Sequence, residues 1–194
     1  MPVHQHDDPY LVKCACAGDK EAFAILVQRH EHGVYSYLTG LLGDREEARD
    51  FAQLTFIKAW SNLSRLQDAA HFKPWLYTIA RNLVYDFWRK QKFHQQSWES
   101  LEESSVVASS PGPEERTIQM QMLELALAHL PAKLRDCILL QDVCGFSRRE
   151  IASMIGIGVE SVSTYLSSAR KLLRQTYQRM ENEYELEKGD LVHE

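Results

Sequence analysis

The chain has 194 residues, of which 44% are hydrophobic and 25% are charged, with 22 Lys and Arg against 27 Asp and Glu. This length suits one ordinary domain or two small ones, and the apolar stretches are too short for a membrane span. The N-terminal residues lack the apolar core of a secretory signal, and the four cysteines include no CxxC pair. We therefore expect a protein of a reducing cytoplasm without a disulfide framework.

Positive charge is concentrated in two segments, although the whole chain has a formal net charge of −5. Residues 73–92 contain five basic residues and one acid, and residues 145–180 contain six basic residues and two acids. Residues 93–116 and 181–194 are acidic. Because the opposite charges are separated along the chain, we expect two anion-binding surfaces.

Helical periodicity covers most of the N-terminal half, where no sustained period-two alternation occurs. Start and end signals predict four helices: from Asp8-Pro9 to Gly18, from about Lys20 to Leu42, from Asp44 to about Asn62, and from Lys73-Pro74 to about Lys92. Asp44 is followed three residues later by Glu47, which is the spacing of a capping box.

The composition changes after Lys92, since Phe93 to Pro113 is rich in Ser, Pro and acids and has little periodicity. Helices are expected again after Pro113, after Pro131, at Ser147 and near Val159. The sequence thus predicts an all-α protein of two small helical domains joined by a flexible linker. The expected boundaries are a first domain over 1–92, an acidic linker over 93–113, a second domain over 114–180 and an acidic tail over 181–194.

The second domain contains the spacing of a helix-turn-helix. Ser147 and Glu150 form a capping box for a short helix, Gly156 permits a tight turn, and the apolar face of the next helix is Val162, Leu166, Ala169 and Leu173. Its opposite face carries hydroxyls and charges, namely Glu160, Ser163, Thr164, Ser167, Lys171 and Arg174. Such a face suits the major groove of DNA, and the alternative is a solvated face of an amphipathic hairpin.

The helix after Pro74 has two distinct arcs. One is apolar and is expected in the core: Phe72, Leu76, Ile79, Leu83 and Phe87. The other interleaves aromatic rings with cations: Tyr77, Arg81, Tyr85, Trp88 and Lys92. Rings that stack on bases and cations that follow phosphates are typical of single-strand binding, and the alternative is that another element covers the rings.

The helix over 45–62 is apolar on two sides. Ala48, Phe51, Ala52, Thr55, Phe56 and Ala59 lie on one side, and Asp50, Gln53, Leu54, Ile57 and Trp60 lie on the other. Such a helix is either buried in a bundle or exposed as a partner surface, and periodicity alone favours burial.

Together these segments resemble the sigma-70 superfamily, specifically the extracytoplasmic-function (group IV) sigma factors. The resemblance rests on residues 50–60 (DFAQLTFIKAW), on residues 72–82 (FKPWLYTIARN) with Asp86 and Arg89, and on Leu130-Pro131 through Leu173. It covers about 160 of the 194 residues.

The resemblance implies a promoter-specificity subunit of bacterial RNA polymerase, not an enzyme, that reads the −35 element as duplex and the −10 element as melted strand. The polymerase-binding residues it implies are Asp50, Gln53, Leu54, Phe56, Ile57 and Trp60. Those for the −10 element are Leu66, Tyr77, Arg81, Asn82, Tyr85, Trp88 and Arg89. Those for the −35 element are Arg148, Arg149, Glu160, Ser161, Ser163, Thr164, Ser167, Ser168, Arg170 and Lys171.

The same resemblance implies that Asn82 and the loop from Leu63 to Ala70 hold a flipped non-template base, and that Trp75 packs within the −10 domain. The implied partners are core RNA polymerase, through its β′ clamp helices and β flap, promoter DNA, and a cognate anti-sigma factor. No cofactor, metal or membrane insertion is implied. Two departures from the family stand out: Leu54 replaces an acid, and hydroxyls on the recognition helix replace arginine or lysine.

Three other classes remain open at this level. A dimeric helix-turn-helix regulator would explain only the second domain. An enzyme has little support, because no glycine-rich phosphate loop, GxSxG or HExxH occurs. A metal or redox sensor would have to use close Cys or His pairs, whose spacings are unusual for zinc: Cys14 and Cys16, His4 and His6, His30 and His32. Cys137 and Cys144 are expected in the core.

Overall fold

The chain forms two compact units, Met1–Ser105 and Val106–Glu194, in a computed structural model that describes residues 6–97 and 118–190. Regular structure in these two ranges is helical throughout, which confirms the predicted all-α chain with two helical domains. Most of the predicted linker, like the last residues of the predicted tail, lies outside the described residues. No helix within the two ranges combines the length and apolar character needed to cross a membrane.

Unit 1 is built from four described α-helices and two short 3₁₀ turns. The helices are α1 (Asp8–Cys16), α2 (Lys20–Leu42), α3 (Arg45–Asn62) and α4 (Phe72–Ser97), and the turns are Leu63–Arg65 and Ala69–His71. The bounds of α2 and α3 agree with the sequence prediction, whereas α4 continues five residues past Lys92.

Aspartates begin α2 and α3 by satisfying backbone amides that have no partner within the helix. The Asp19 carboxylate accepts hydrogen bonds from two first-turn amides at 2.9 and 3.1 Å. The Asp44 carboxylate accepts two at 2.8 and 2.9 Å, including the amide of Glu47. Gly43, which separates α2 from α3, has a φ of 77°, the left-handed conformation that glycine adopts at little cost.

The first helix begins one residue earlier than predicted. Its N-cap is Asp7, whose carboxylate accepts from the Tyr10 amide at 3.1 Å. Asp8 instead contacts α2, where its two carboxylate oxygens lie 2.9 Å from Arg29 Nη1 and 2.6 Å from His30 Nε2. The predicted cap was wrong because this pairing with α2 is invisible to local sequence signals.

The core of unit 1 forms where α2 packs against α1, α3 and α4. Its fully buried side chains include Leu11, Leu26, Val34, Leu38, Leu41 and Leu76. The predicted apolar arc of α4 was partly wrong, since Ile79, Leu83 and Phe87 are only half-buried. The buried arc is rotated toward Tyr77, Ala80 and Val84 because α4 packs against both α2 and α3.

Unit 2 is built from four described α-helices and a π-helical turn. These are α5 (Ile118–Ala128), α6 (Ala132–Ile138), the π-helical turn (Leu139–Val143), α7 (Arg148–Ile155) and α8 (Val159–Asp190). α8 contacts α5, α6 and α7 and continues ten residues into the predicted acidic tail.

The predicted helix-turn-helix is formed by α7 and α8. Ser147 Oγ accepts from the Glu150 amide at 3.3 Å, and the Glu150 carboxylate accepts from the Ser147 amide at 2.8 Å, which completes the predicted capping box. Gly156 has a φ of 76° and turns the chain into α8. Ile151, Val162, Leu166 and Ala169 are buried in unit 2, as are Cys137 and Cys144, which were both predicted in the core.

Candidate polymerase and nucleic-acid interfaces

The outer side of α3 is an exposed apolar surface. Leu54 is 44% exposed, Ile57 is 60% exposed and Trp60 is 38% exposed. We call these three residues the α3 ridge. Asp50 and Gln53 are also exposed and border it with polar groups. The burial that periodicity favoured for this side is therefore wrong, and the partner-surface interpretation remains.

The opposite side of α3 anchors the ridge in unit 1. Ala48, Thr55 and Ala59 have no exposed surface, and Phe56 is 9% exposed. The buried Thr55 hydroxyl donates to the Phe51 carbonyl at 2.7 Å, so it has a hydrogen-bond partner. Five of the six predicted polymerase-binding residues are exposed on the outer side of α3. The sixth, Phe56, is buried on the opposite side.

The loop between α3 and α4 rests against α1. The Cys16 thiol donates to the Leu63 carbonyl at 3.7 Å where the loop begins. Near its end, Asp68 accepts from the Ala70 amide and from His71 Nδ1, both at 2.9 Å. The amide hydrogen bond, and then the one from His71, hold the pKa of the Asp68 carboxyl below its ordinary value. Leu66, predicted to contact the −10 element, is half-buried.

Tyr77 does not lie on an exposed face, so its predicted role in base stacking was wrong. The side chain is 2% exposed, and the centroid of its ring lies 5.5 Å from the centroid of the Tyr37 ring on α2. A Cβ atom at Gly33 would lie 2.6 Å from the Tyr77 hydroxyl oxygen. The absence of a side chain at Gly33 therefore leaves room for the Tyr77 hydroxyl, a long-range relationship that helical periodicity cannot show.

The remaining residues of the predicted −10 face form a chain of contacts along α4. The Arg81 guanidinium lies 4.2 Å from the centre of the Tyr85 ring, and that ring lies 5.2 Å from the ring of Trp88. Arg81, Tyr85 and Trp88 are half-buried, whereas Asn82 is exposed. Exposed Arg89 pairs with Asp86. The arrangement presents an amide, aromatic rings and cations on one helix.

Five of the ten predicted −35 residues line a cavity of about 450 Å³ on α7 and α8. Its polar lining consists of Arg148, Ser163, Ser167, Arg170, Lys171, Arg174 and Gln175. The other predicted −35 residues are also exposed: Arg149, Glu160, Ser161, Thr164 and Ser168. Cations thus flank hydroxyls on the outer side of the helix-turn-helix.

Two hydroxyls of this surface are oriented by their own helix. Ser163 Oγ donates to the Val159 carbonyl at 3.3 Å, and Thr164 Oγ1 donates to the Glu160 carbonyl at 3.1 Å. Because a hydroxyl has one proton, these oxygens keep acceptor capacity and face a ligand as acceptors.

Arg170 has partners that the sequence did not indicate. Its Nη2 donates to Gln141 Oε1 and to Asp142 Oδ1, each at 2.7 Å, and its Nε donates to Asp142 Oδ2 at 3.4 Å. The hydrogen bond to Asp142 raises the pKa of Arg170 above its ordinary value. Asp142 of the π-helical turn therefore partly neutralises the positive charge of Arg170.

A second, more apolar cavity of about 590 Å³ lies on unit 2 between α5, α6 and α8. Met120, Leu123, Ile138, Leu173 and Tyr177 provide its main apolar lining. Met120 and Leu123 are among the large exposed apolar side chains of α5. The apolar run of α5 was a signal for this surface, but no spacing indicated which side would stay open.

Metal ligands are not grouped within residues 6–97 and 118–190, where no set of three or more His, Cys, Asp and Glu side chains could hold an ion. All four cysteines are free thiols. His4, one member of a close His pair noted in the sequence, lies outside the described residues.

Two family models match the chain. One described as Sigma-70 region 2 matches residues 26–94, and one described as Sigma-70, region 4 matches residues 120–173. The first includes the α3 ridge, the loop and most of α4, and the second includes α7 and the cavity-lining start of α8.

Curated proteins that are similar in sequence include two sigma factors. "ECF RNA polymerase sigma factor SigW" of Bacillus subtilis is 30% identical over 174 residues, which cover 84% of this chain and 93% of that protein. "Probable RNA polymerase sigma factor RfaY" of Xanthomonas campestris is 31% identical over 165 residues, which cover 82% of this chain but only 41% of that protein.

A solved structure is similar in fold. It contains the sigma factor RpoE in complex with the anti-sigma factor NepR from Bartonella quintana. The similarity has a TM-score of 0.71 with 26% sequence identity, and covers 80% of this chain and 96% of that chain.

Proposed function

Because the chain belongs to the extracytoplasmic-function group of the sigma-70 family and is thus a transcription initiation factor of RNA polymerase, we propose that its surfaces divide the work of promoter recognition. The α3 ridge binds the β′ clamp helices of core polymerase. The loop and α4 of unit 1 read the opened −10 strand. α7 and α8 of unit 2 read the −35 element as intact duplex.

Exposure of the α3 ridge is the observation that carries the proposal. Leu54, Ile57 and Trp60 lie on one side of α3 and form an exposed apolar patch. Exposed apolar patches with a polar rim mark sites of protein–protein interaction. Burying such side chains within a polar rim is how protein interfaces gain most of their affinity, and tryptophan is enriched among the residues that dominate it. Asp50 and Gln53 supply the rim.

Exposed and half-buried groups on α4 support reading of a single strand. Asn82 offers one amide that can both donate to and accept from the edge of an extruded base. Tyr85 and Trp88 provide ring faces for neighbouring bases, and Arg81 and Arg89 provide cations near the backbone. A base held in this way offsets part of the free-energy cost of unstacking, which is a few kcal/mol.

Cations that flank hydroxyls support duplex reading by unit 2. Arg148, Lys171 and Arg174 line the cavity on α7 and α8 and suit phosphates on either side of a major groove. Thr164, Ser167 and Ser168 are exposed on the same helix as Lys171 and Arg174, where the Thr164 hydroxyl can accept, and the two serine hydroxyls can accept or donate, at base edges. Because Asp142 partly neutralises the positive charge of Arg170, the other cations provide most of the attraction to phosphates.

Two further protein contacts belong to the proposal. The β flap of polymerase binds the apolar cavity of unit 2, which the exposed side chains of α5 line. A cognate anti-sigma factor holds the chain inactive, as suggested by the similar sigma factor whose structure contains the anti-sigma factor NepR. An anti-sigma factor that covers either apolar surface would exclude polymerase from it.

Reconstitution with core polymerase tests the proposed function. The full chain should convert core polymerase into an enzyme that starts at defined sites in run-off transcription on a promoter library. The Ile57→Asp chain, which places a carboxylate in the α3 ridge, should bind core polymerase poorly and give no defined starts. A regulator of the helix-turn-helix class would support no specific initiation by core polymerase, and that result would refute the proposal.

A further inference from the structure

The α3 ridge has an aromatic neighbour on a different helix. The centroid of the Phe23 ring on α2 lies 4.9 Å from the centroid of the Trp60 ring, and the two ring planes are inclined by 56°. Phe23 is only half-buried, whereas its neighbours Ala22 and Leu26 are fully buried. It also precedes the region 2 match, which begins at residue 26.

We infer that Phe23 is a positioning residue of the polymerase-binding surface, which holds the Trp60 ring in its binding orientation at the α2 edge of the α3 ridge. This inference rests on the proposed function of the ridge. A tilted aromatic pair at this separation is attractive beyond the area that it buries. A tryptophan that is 38% exposed would otherwise sample several rotamers, and polymerase would have to order it on binding.

The local contacts explain why this position is suited to the task. α2 and α3 pack along their lengths, and the cap at Asp44 fixes where α3 begins relative to Gly43. Trp60 lies near the C-terminal end of α3, where the helix has fewer neighbouring turns to restrain a large side chain. Phe23, near the N-terminal end of α2, is the aromatic side chain that meets it there. The contact between the two rings therefore connects Trp60 of the α3 ridge to α2, which packs in the core of unit 1.

A second ring pair on α3 provides a matched control. Phe51 is also half-buried, and its ring lies 5.3 Å from that of Phe87 on α4 at 64°. It borders α4 instead of α2 and is not among the residues assigned to polymerase binding. Phe51→Leu therefore removes a comparable contact between aromatic rings that also involves α3, but does not change the surroundings of Trp60.

The test measures the dissociation constant of the full chain for core polymerase. Phe23→Leu keeps an apolar side chain but loses the ring, so the dissociation constant should rise about 3-fold to 10-fold. Phe23→Tyr keeps the ring and should restore the affinity, while Phe51→Leu should leave it close to that of the unsubstituted chain. In a Trp60→Ala background, Phe23→Leu should add no further loss, because the ring that it positions is gone.

Thermal unfolding of each variant separates positioning from folding, since both leucine variants should be destabilised to a similar extent. The inference is overturned if Phe23→Leu binds as well as the unsubstituted chain, if Phe51→Leu weakens binding equally, or if the Phe23 effect persists undiminished in the Trp60→Ala background. A Trp60→Ala chain that itself binds normally would instead remove the ridge from the proposed interface, and the role of Phe23 with it.

Discussion

The guanidinium of Arg170 is bound to the carboxylate of Asp142 by two hydrogen bonds, Nη2 to Oδ1 at 2.7 Å and Nε to Oδ2 at 3.4 Å. Arg170 lies on α8, whereas Asp142 lies in the π-helical turn that precedes the helix-turn-helix. A cation that the family resemblance assigns to DNA is thus partly neutralised by its own domain.

This pairing predicts unequal contributions of two adjacent cations to promoter binding. Lys171→Ala should lower the magnitude of the salt slope of holoenzyme–promoter affinity by about 0.9, the value expected for one lost phosphate contact. Replacing the pair together, as Arg170→Gln with Asp142→Asn, removes no net charge and should leave the slope nearly unchanged. Filter binding across a range of salt concentrations measures both, and equal losses would contradict the assignment.

Asn82 is predicted to set base preference in the −10 element. Asn82→Ala removes the exposed amide that we propose contacts the flipped base, so discrimination at one position should fall by about 5-fold to 100-fold, the range for a lost base-specific contact. Gln91→Ala removes another exposed amide from α4 and serves as the control. Run-off transcription on promoters randomised in the −10 element reports the preference, and an unchanged profile for Asn82→Ala would remove that residue from the site.

Ile57 is predicted to be an energetic centre of the α3 ridge. At 60% exposure it is the most exposed of the three ridge side chains, and Ile57→Ala should weaken core polymerase binding by about 5-fold to 30-fold with little loss of stability. Leu186→Ala is the matched control, because that side chain is 70% exposed but lies outside the proposed interfaces. Equal binding by the two variants would argue against an apolar interface at the ridge.

Gly33 is predicted to be essential for the packing of Tyr77. An alanine Cβ at this position would lie 2.6 Å from the buried Tyr77 hydroxyl, so Gly33→Ala should destabilise unit 1 by about 1–3 kcal/mol despite the better helix propensity of alanine. Tyr77→Phe removes that oxygen and should cost less in the Gly33→Ala background than alone. Thermal or denaturant unfolding measures this coupling, and a Gly33→Ala chain that is more stable would contradict it.

Local signals in the sequence predicted those features that depend on neighbours along the chain. Asp44, Ser147 and Gly156 each begin or end a helix as expected, because caps and turns use residues within a few positions of one another. The bounds of α2 and α3 follow from the same signals. The choice between a buried and an exposed outer side of α3 was not predictable, since helical periodicity does not say which of two apolar sides a partner covers.

Features that depend on distant residues were missed for a common physical reason. The burial of Tyr77 requires the open backbone at Gly33, which lies on another helix. The pairing of Arg170 with Asp142 spans 28 residues and follows from how α8 packs against the preceding turn. Such contacts are products of tertiary packing, so the residue types of the site were predictable whereas their partners were not.

Transcription from heteroduplex promoters tests most directly whether unit 1 reads an opened strand and unit 2 an intact duplex. A base changed only on the template strand of the −10 element should leave run-off output by the holoenzyme unchanged, whereas the same change on the non-template strand should abolish it. In the −35 element, a mismatch on either strand should reduce output. If both elements respond in the same way to changes on the two strands, the division between the two units is wrong.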